Sequence, residues 1–163
     1  MRHFMTPRLI LIFLFIICFS RTKLFGQAIE NKIIEKSKGT WLTPIPKYLK
    51  IEGNKERERR TTYDKTDSSL TFVTDSSYSV TAVFGGKVVA VFPIENAYMI
   101  MTQFGDYFIS YTNITDLKVK EGDRIKEGTL IGKVMKVDED YYFINFVLMK
   151  NKKMIGAEKW FKW

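Results

Sequence analysis

Between Val80 and Val134 the chain is a series of short apolar runs cut by glycine turns: VTAVFGGKVVAVFPIENAYMIMTQFGDYFISYTNITDLKVKEGDRIKEGTLIGKV. Val80–Phe84 predicts a strand, and Gly85-Gly86 predicts a hairpin turn, because adjacent glycines supply the positive φ angles that a tight turn needs. Lys87–Phe92 returns, Pro93–Asn96 turns and Ala97–Gln103 is the next strand. Gly105-Asp106 turns into Tyr107–Tyr111. Lys118–Lys120 leads into the turn Glu121-Gly122-Asp123, and Glu127-Gly128 precedes Thr129–Met135. Asp138–Asp140 is an acidic turn before Tyr141–Met149, Lys150-Asn151-Lys152 tips a final hairpin, and Trp160, Phe161 and Trp163 finish the chain. Many short strands at this spacing predict an all-β barrel or sandwich.

Upstream the pattern changes. Ile29–Lys38 (IENKIIEKSK) alternates charge with isoleucine and predicts a short amphipathic helix ending at Gly39, or a tether. Thr40–Pro46 holds two prolines two apart, which excludes a helix and suits an extended edge segment carrying Trp41 onto the domain. The Trp41 and Trp160 ends are expected to meet on one side. Lys47–Arg60 is strongly charged and reads as a solvated strand or loop. Thr61–Ser79 is rich in Ser, Thr and Asp, which make turns through side-chain to backbone hydrogen bonds, with one short strand at Leu70–Val73. Its carboxylates at Asp64, Asp67 and Asp75 lack the spacing of an EF-hand loop.

The first 26 residues stand apart. The eleven apolar residues Leu9–Phe19 follow Arg2 and Arg8 and fall short of the ~20 that span a bilayer. They fit the hydrophobic region of a signal peptide, with small residues around Gly26 for cleavage, or of a retained anchor. The expected organisation is a signal peptide over 1–26, an extension and edge segment over 27–60, and a β domain over 61–163.

Charge adds little. Of the 26 basic residues four lie in that segment, which holds no acid, so the net +8 falls to +4 for the remainder. No basic-aromatic motif accompanies it, and no nucleic-acid partner is expected. Cys18 is the single cysteine, so an internal disulfide or a cysteine zinc cluster is excluded. The single histidine, His3, lies in the segment expected to be removed.

Thr81-Ala82-Val83-Phe84-Gly85-Gly86-Lys87-Val88 resembles the "A-x-x-dG-x-V" element of LytM/lysostaphin-type zinc peptidases. Tyr111-Thr112-Asn113-Ile114 resembles their "Y-x-H-L". Val119 through Gly122-Asp123 and Glu127-Gly128 to Ile131-Gly132 resembles their double glycine turn, which lipoyl and biotinyl domains partly share. Phe143-Ile144-Asn145-Phe146-Val147 stands where "H-x-H-F-E" closes the family, followed by a hairpin and Trp160. The resemblance implies a duplicated-hybrid-motif or barrel-sandwich-type antiparallel β fold. It also implies a peptidoglycan endopeptidase whose zinc is held by two histidines and an aspartate, with two further histidines handling protons and the oxyanion. This chain departs at all five positions. The ligand positions fall on Asp67, Thr71 and Asn145, and the catalytic histidine positions on Asn113 and Phe143. An amide is a poor zinc ligand and no general base.

The departures imply an exported, non-catalytic relative without a cofactor, which binds peptidoglycan or a cell-envelope protein and meets the membrane only through its N-terminal segment. Candidate binding residues are Asn113, Asn145, Tyr107, Tyr141 and Tyr142, the tyrosines being expected at the surface. Two other readings stay open. One is an active metalloendopeptidase with a non-standard site, for which Asp67, Asp75 and Asp106 would have to converge. The other is a carrier domain modified at Lys150.

Overall fold

The computed structural model describes residues 26–52, 68–138 and 141–163. The segment expected to direct export, and the candidate Asp67, lie outside the described residues. Residues 26–36 form a helix, α1, that gives way to a turn before Gly39, whose φ of 78° suits a residue without a side chain. Among the described residues eleven strands follow: β1 (Lys50–Glu52), β2 (Leu70–Thr74), β3 (Ser79–Thr81), β4 (Gly86–Ile94), β5 (Ala97–Phe104), β6 (Tyr107–Thr115), β7 (Arg124–Ile125), β8 (Leu130–Val134), β9 (Lys136–Asp138), β10 (Tyr141–Lys150) and β11 (Lys153–Ile155). A short 3-10 turn, Glu158–Trp160, precedes the end of the chain. The expected all-β antiparallel architecture is what the chain adopts. Among the described residues no helix is long and apolar enough to cross a membrane.

The sheet runs β1-β2-β10-β6-β5-β4-β7, with β8 joining β3 to β6 and with β9 and β11 paired to β10. β10 is its spine, and alternation along it sorts the side chains. Ile144, Phe146 and Leu148 are fully buried, whereas Phe143, Asn145 and Val147 are half-buried on the other face. Register carries the same division to the neighbours: Ile144 faces Phe72, Phe146 faces Tyr111, and Leu148 faces Ile109. These residues join Val80, Ile114, Ile131 and Val134 in one core, to which Ile34, Trp41 and Ile45 contribute from before residue 61.

Two expectations about elements need correction. Val80–Phe84 is strand only over Ser79–Thr81, and Gly85-Gly86 makes no hairpin. β3 pairs with β8 while β4 pairs with β5 and β7, and neither glycine has a positive φ. The need for glycine is close approach: a Cβ on Gly86 would lie 2.7 Å from the Gln103 carbonyl oxygen of β5. Pro93 is also not in a turn. It belongs to β4, a strand near the sheet edge, where its missing N–H is tolerated. The turns at Gly105, Gly122 and Gly128 form as expected with positive φ, and Asn151-Lys152 are both positive at the last hairpin, whereas the acidic turn expected at Asp138–Asp140 lies largely outside the described residues.

Candidate functional site

Four of the five positions that the resemblance assigns to chemistry, Thr71, Asn113, Phe143 and Asn145, lie where β2, β10 and β6 run side by side. Thr71 is the register partner of Asn145, which on its other side faces Thr112. Thr71 is buried, and its hydroxyl donates to the Asn145 amide oxygen at 2.7 Å. Phe143, two residues along β10, faces Val73 on the same side and stacks with Tyr141 at 5.3 Å between ring centres.

Asn113 stands next to this pair for a topological reason. Between the pairs Tyr98–Ile114 and Ile100–Tyr111, β6 holds one residue more than β5, a bulge at Thr112-Asn113. Asn113 takes a φ of 64°, a conformation that asparagine tolerates better than most residues. At this bulge β6 changes partners, from β10 up to Thr112 to β8 from Ile114, and the Asn113 carbonyl accepts the Met135 N–H at 2.9 Å. Sequence marked the residue but carried no signal for the bulge.

Two expected surface residues are not on this face. Tyr107 is 1% exposed. It is the register partner of Lys150 on the core side, with Trp160 5.5 Å away and its hydroxyl donating to Glu35. Tyr142 pairs with Thr74 and packs against the core, because it falls one residue out of step with Phe143 and Asn145. Of the candidate binding residues, Asn145 and Tyr141 on β10 and Asn113 at the neighbouring bulge of β6 remain, without Tyr107 and Tyr142. Tyr111 lies inside the core. Its hydroxyl accepts the Val83 N–H at 3.0 Å, and burial pushes its pKa up, so it stays neutral.

The other carboxylates do not converge. Asp75 follows the end of β2 beside Tyr142, whereas Asp106 sits in the β5–β6 turn beside the Lys150 end of β10. Eight residues of strand separate these ends, about 27 Å. Asp75 is held below the usual carboxylate range by a hydrogen bond from Tyr78 and by Lys47, and Asp106 accepts from Asn31 at 2.6 Å. Lys150 is committed too: its ammonium meets Glu35 at 2.8 Å and lies over the Tyr107 ring.

The described residues at the site do not fit a zinc ion. Thr71 and Asn145 offer a neutral hydroxyl and a neutral amide, the first donating to the oxygen of the second, with Phe143 where an imidazole would move a proton. None of these supplies a thiolate, imidazole or carboxylate. Among the described residues no three or more His, Cys, Asp or Glu side chains gather into a metal-binding group.

The sequence profile of Peptidase family M23 matches residues 65–156, more than half of the chain. No curated protein matches it. Among solved structures, Csd3 from Helicobacter pylori superposes with a TM-score of 0.61 at 16% identity, over 77% of this chain and 35% of that one. A putative peptidase M23 from Pseudomonas aeruginosa gives 0.58 at 15% identity, over 83% and 61%. A chain of the SpoIIQ-SpoIIIAH pore-forming complex gives 0.59 at 16% identity, over 77% and 93%. The chain thus spans about a third of the length of the Csd3 chains it matches. At these identities the likeness establishes the fold.

Proposed function

The chain belongs to Peptidase family M23, and from that premise we propose that it acts in the cell envelope as a non-catalytic binding or regulatory module. Its partner is peptidoglycan or a protein of the wall or division machinery. The observation that carries this reading is the Thr71–Asn145 hydrogen bond. Two positions where relatives of the LytM type would place metal ligands are adjacent, as a shared ion would require, yet here a neutral hydroxyl donates its proton to a neutral amide oxygen. Neither a hydroxyl nor an amide is basic enough to take a proton from water near neutral pH, and neither carries a negative charge with which to hold a cation.

Export rests on the segment over 1–26, and its cleavage after Gly26 belongs to the same proposal. Binding draws support from the fold: one structural relative is part of a complex of two proteins. Asn113, Asn145 and Tyr141 are the proposed contacts for wall material.

Zinc content, peptide release from sacculi and co-sedimentation with sacculi test this reading together, on protein recovered from cells expressing the full 163-residue chain. No stoichiometric zinc and no release, with co-sedimentation weakened by Asn113→Ala, is the expected result. Stoichiometric zinc accompanied by released peptides would overturn it.

A further inference from the structure

A second concave surface lies away from the outer-face site. α1, the Gly85-Gly86 segment and the turn after β5 enclose a groove of about 890 Å³. Its floor is apolar: Phe84 and Phe104 meet edge to face at 5.2 Å, with Ile33 of α1 beside them. Its rim is basic, carrying Lys87, Arg124 and Lys126, all exposed. Lys87 and Arg124 are direct register partners across β4 and β7. Like charges placed opposite one another destabilise a strand pair, and an anion between them would offset that cost. None of the three makes an ion pair among the described residues. Two carboxylates also line the groove: Glu30, which accepts the Gly105 N–H at 3.0 Å, and the exposed Glu127 beside Lys126, so the three basic side chains remain in excess.

We infer that this groove binds an acidic segment of a partner protein. Carboxylates of the partner meet Lys87 and Arg124, and interleaved apolar side chains cover Phe84 and Phe104. The apolar floor favours a polypeptide over a wall glycan, whose sugars would need polar partners there. Charge complementarity supplies orientation and rate, and desolvated rings supply contact area. The inference rests on the reading of the chain as a binding module and names the partner's chemistry.

The test is fluorescence anisotropy with a labelled peptide alternating glutamate and phenylalanine, and with its lysine-for-glutamate counterpart. The protein is that recovered from cells expressing the full chain. An exposed ion pair is worth up to about fivefold in affinity. The double variant Lys87→Glu/Arg124→Glu is therefore expected to weaken acidic-peptide binding at least about tenfold and to prefer the basic peptide. Lys126→Glu, on an exposed turn where folding is not at stake, is expected to weaken it by about threefold. Raised salt should weaken wild-type binding in step. Equal affinity of the wild type for both peptides would overturn the inference. So would unchanged affinity in Lys126→Glu, or displacement of the acidic peptide by soluble peptidoglycan fragments. Peptide release from sacculi would sink the non-catalytic reading without touching this titration, and a flat titration would leave the sacculus assay standing.

Discussion

Thr71 and Thr74 lie three residues apart on β2 and face opposite sides of the sheet. Thr71 donates to Asn145, whereas the Thr74 hydroxyl, 1% exposed on the core side, has no hydrogen-bond partner among the described residues. Replacing either hydroxyl by a methyl group nearly preserves shape, so the sign of the effect depends on what the hydroxyl was doing. Thr71→Val should lower stability by about 1 kcal/mol, because it leaves the Asn145 oxygen without that donor. Thr74→Val should raise it by about the same amount, because it removes a desolvated polar atom. Each change corresponds to about 3 °C in Tm, readable by thermal denaturation followed by circular dichroism. A fall in both variants would mean that the Thr74 hydroxyl has a partner in solution. The same two residues mark what sequence could reveal. Resemblance singled out Thr71 and Asn145 as substituted ligands, but only the register of β2 on β10 shows them bonded to one another.

At the scale of elements, the contact between α1 and the β5–β6 turn determines how the N-terminal extension sits. Asn31 exchanges two hydrogen bonds with Asp106, Glu30 accepts from Gly105, and Glu35 gathers Lys38, Lys150 and Tyr107. Gly105 is required there, since a Cβ would collide with the Asn31 side chain and its φ is 60°. The isoleucine spacing and Gly39 made the helix legible, but nothing in the spacing pairs it with residues some 75 positions later. Tyr107 was misplaced for a related reason: amphipathic tyrosine suits either face of a strand, and the register that buries it is set by β10. Glu35 offers a pH test. Lys150 and then Lys38 hold its pKa below the ordinary value of 4.5. Its charged contacts therefore stabilise the fold above that value and are lost as pH falls through the lowered one. With a third of the side chain exposed, solvent screening limits the effect to about 0.5 kcal/mol. Glu35→Gln should be less stable than wild type at neutral pH, and the gap should close as pH falls through the lowered pKa of Glu35. A gap independent of pH in urea titrations would show that packing, and not charge, is what Glu35 contributes.

Across the whole molecule, the described chain is closed by its two aromatic ends. The Gly39 and Trp41 N–H groups both donate to the Trp160 carbonyl at 3.0 Å, Lys162 N–H donates to Trp41 at 2.9 Å, and Trp41 and Phe161 form a parallel bridge. The Trp41 ring meets Trp160 at 4.8 Å and Phe84, Phe161 and Phe146 farther out. The meeting of Trp41 and Trp160 was legible because prolines kept the first segment extended and tryptophans ended both; its backbone pairing was not. The contact joins the extension to the residues that follow the M23-matched 65–156, so it decides whether residues before 61 form a separable appendage or part of one folding unit. A double-mutant cycle with Trp41→Phe and Trp160→Phe separates the two, because phenylalanine keeps each site apolar while shrinking the shared ring contact. As one unit, the rings should couple by about 1 kcal/mol in urea unfolding, with a single transition in every variant. Strict additivity, or an earlier transition confined to residues 26–52 by hydrogen exchange, would make the extension an independent tether. The groove beside α1 would then exist only while that tether is docked, and ligand binding and extension docking would become a single linked equilibrium.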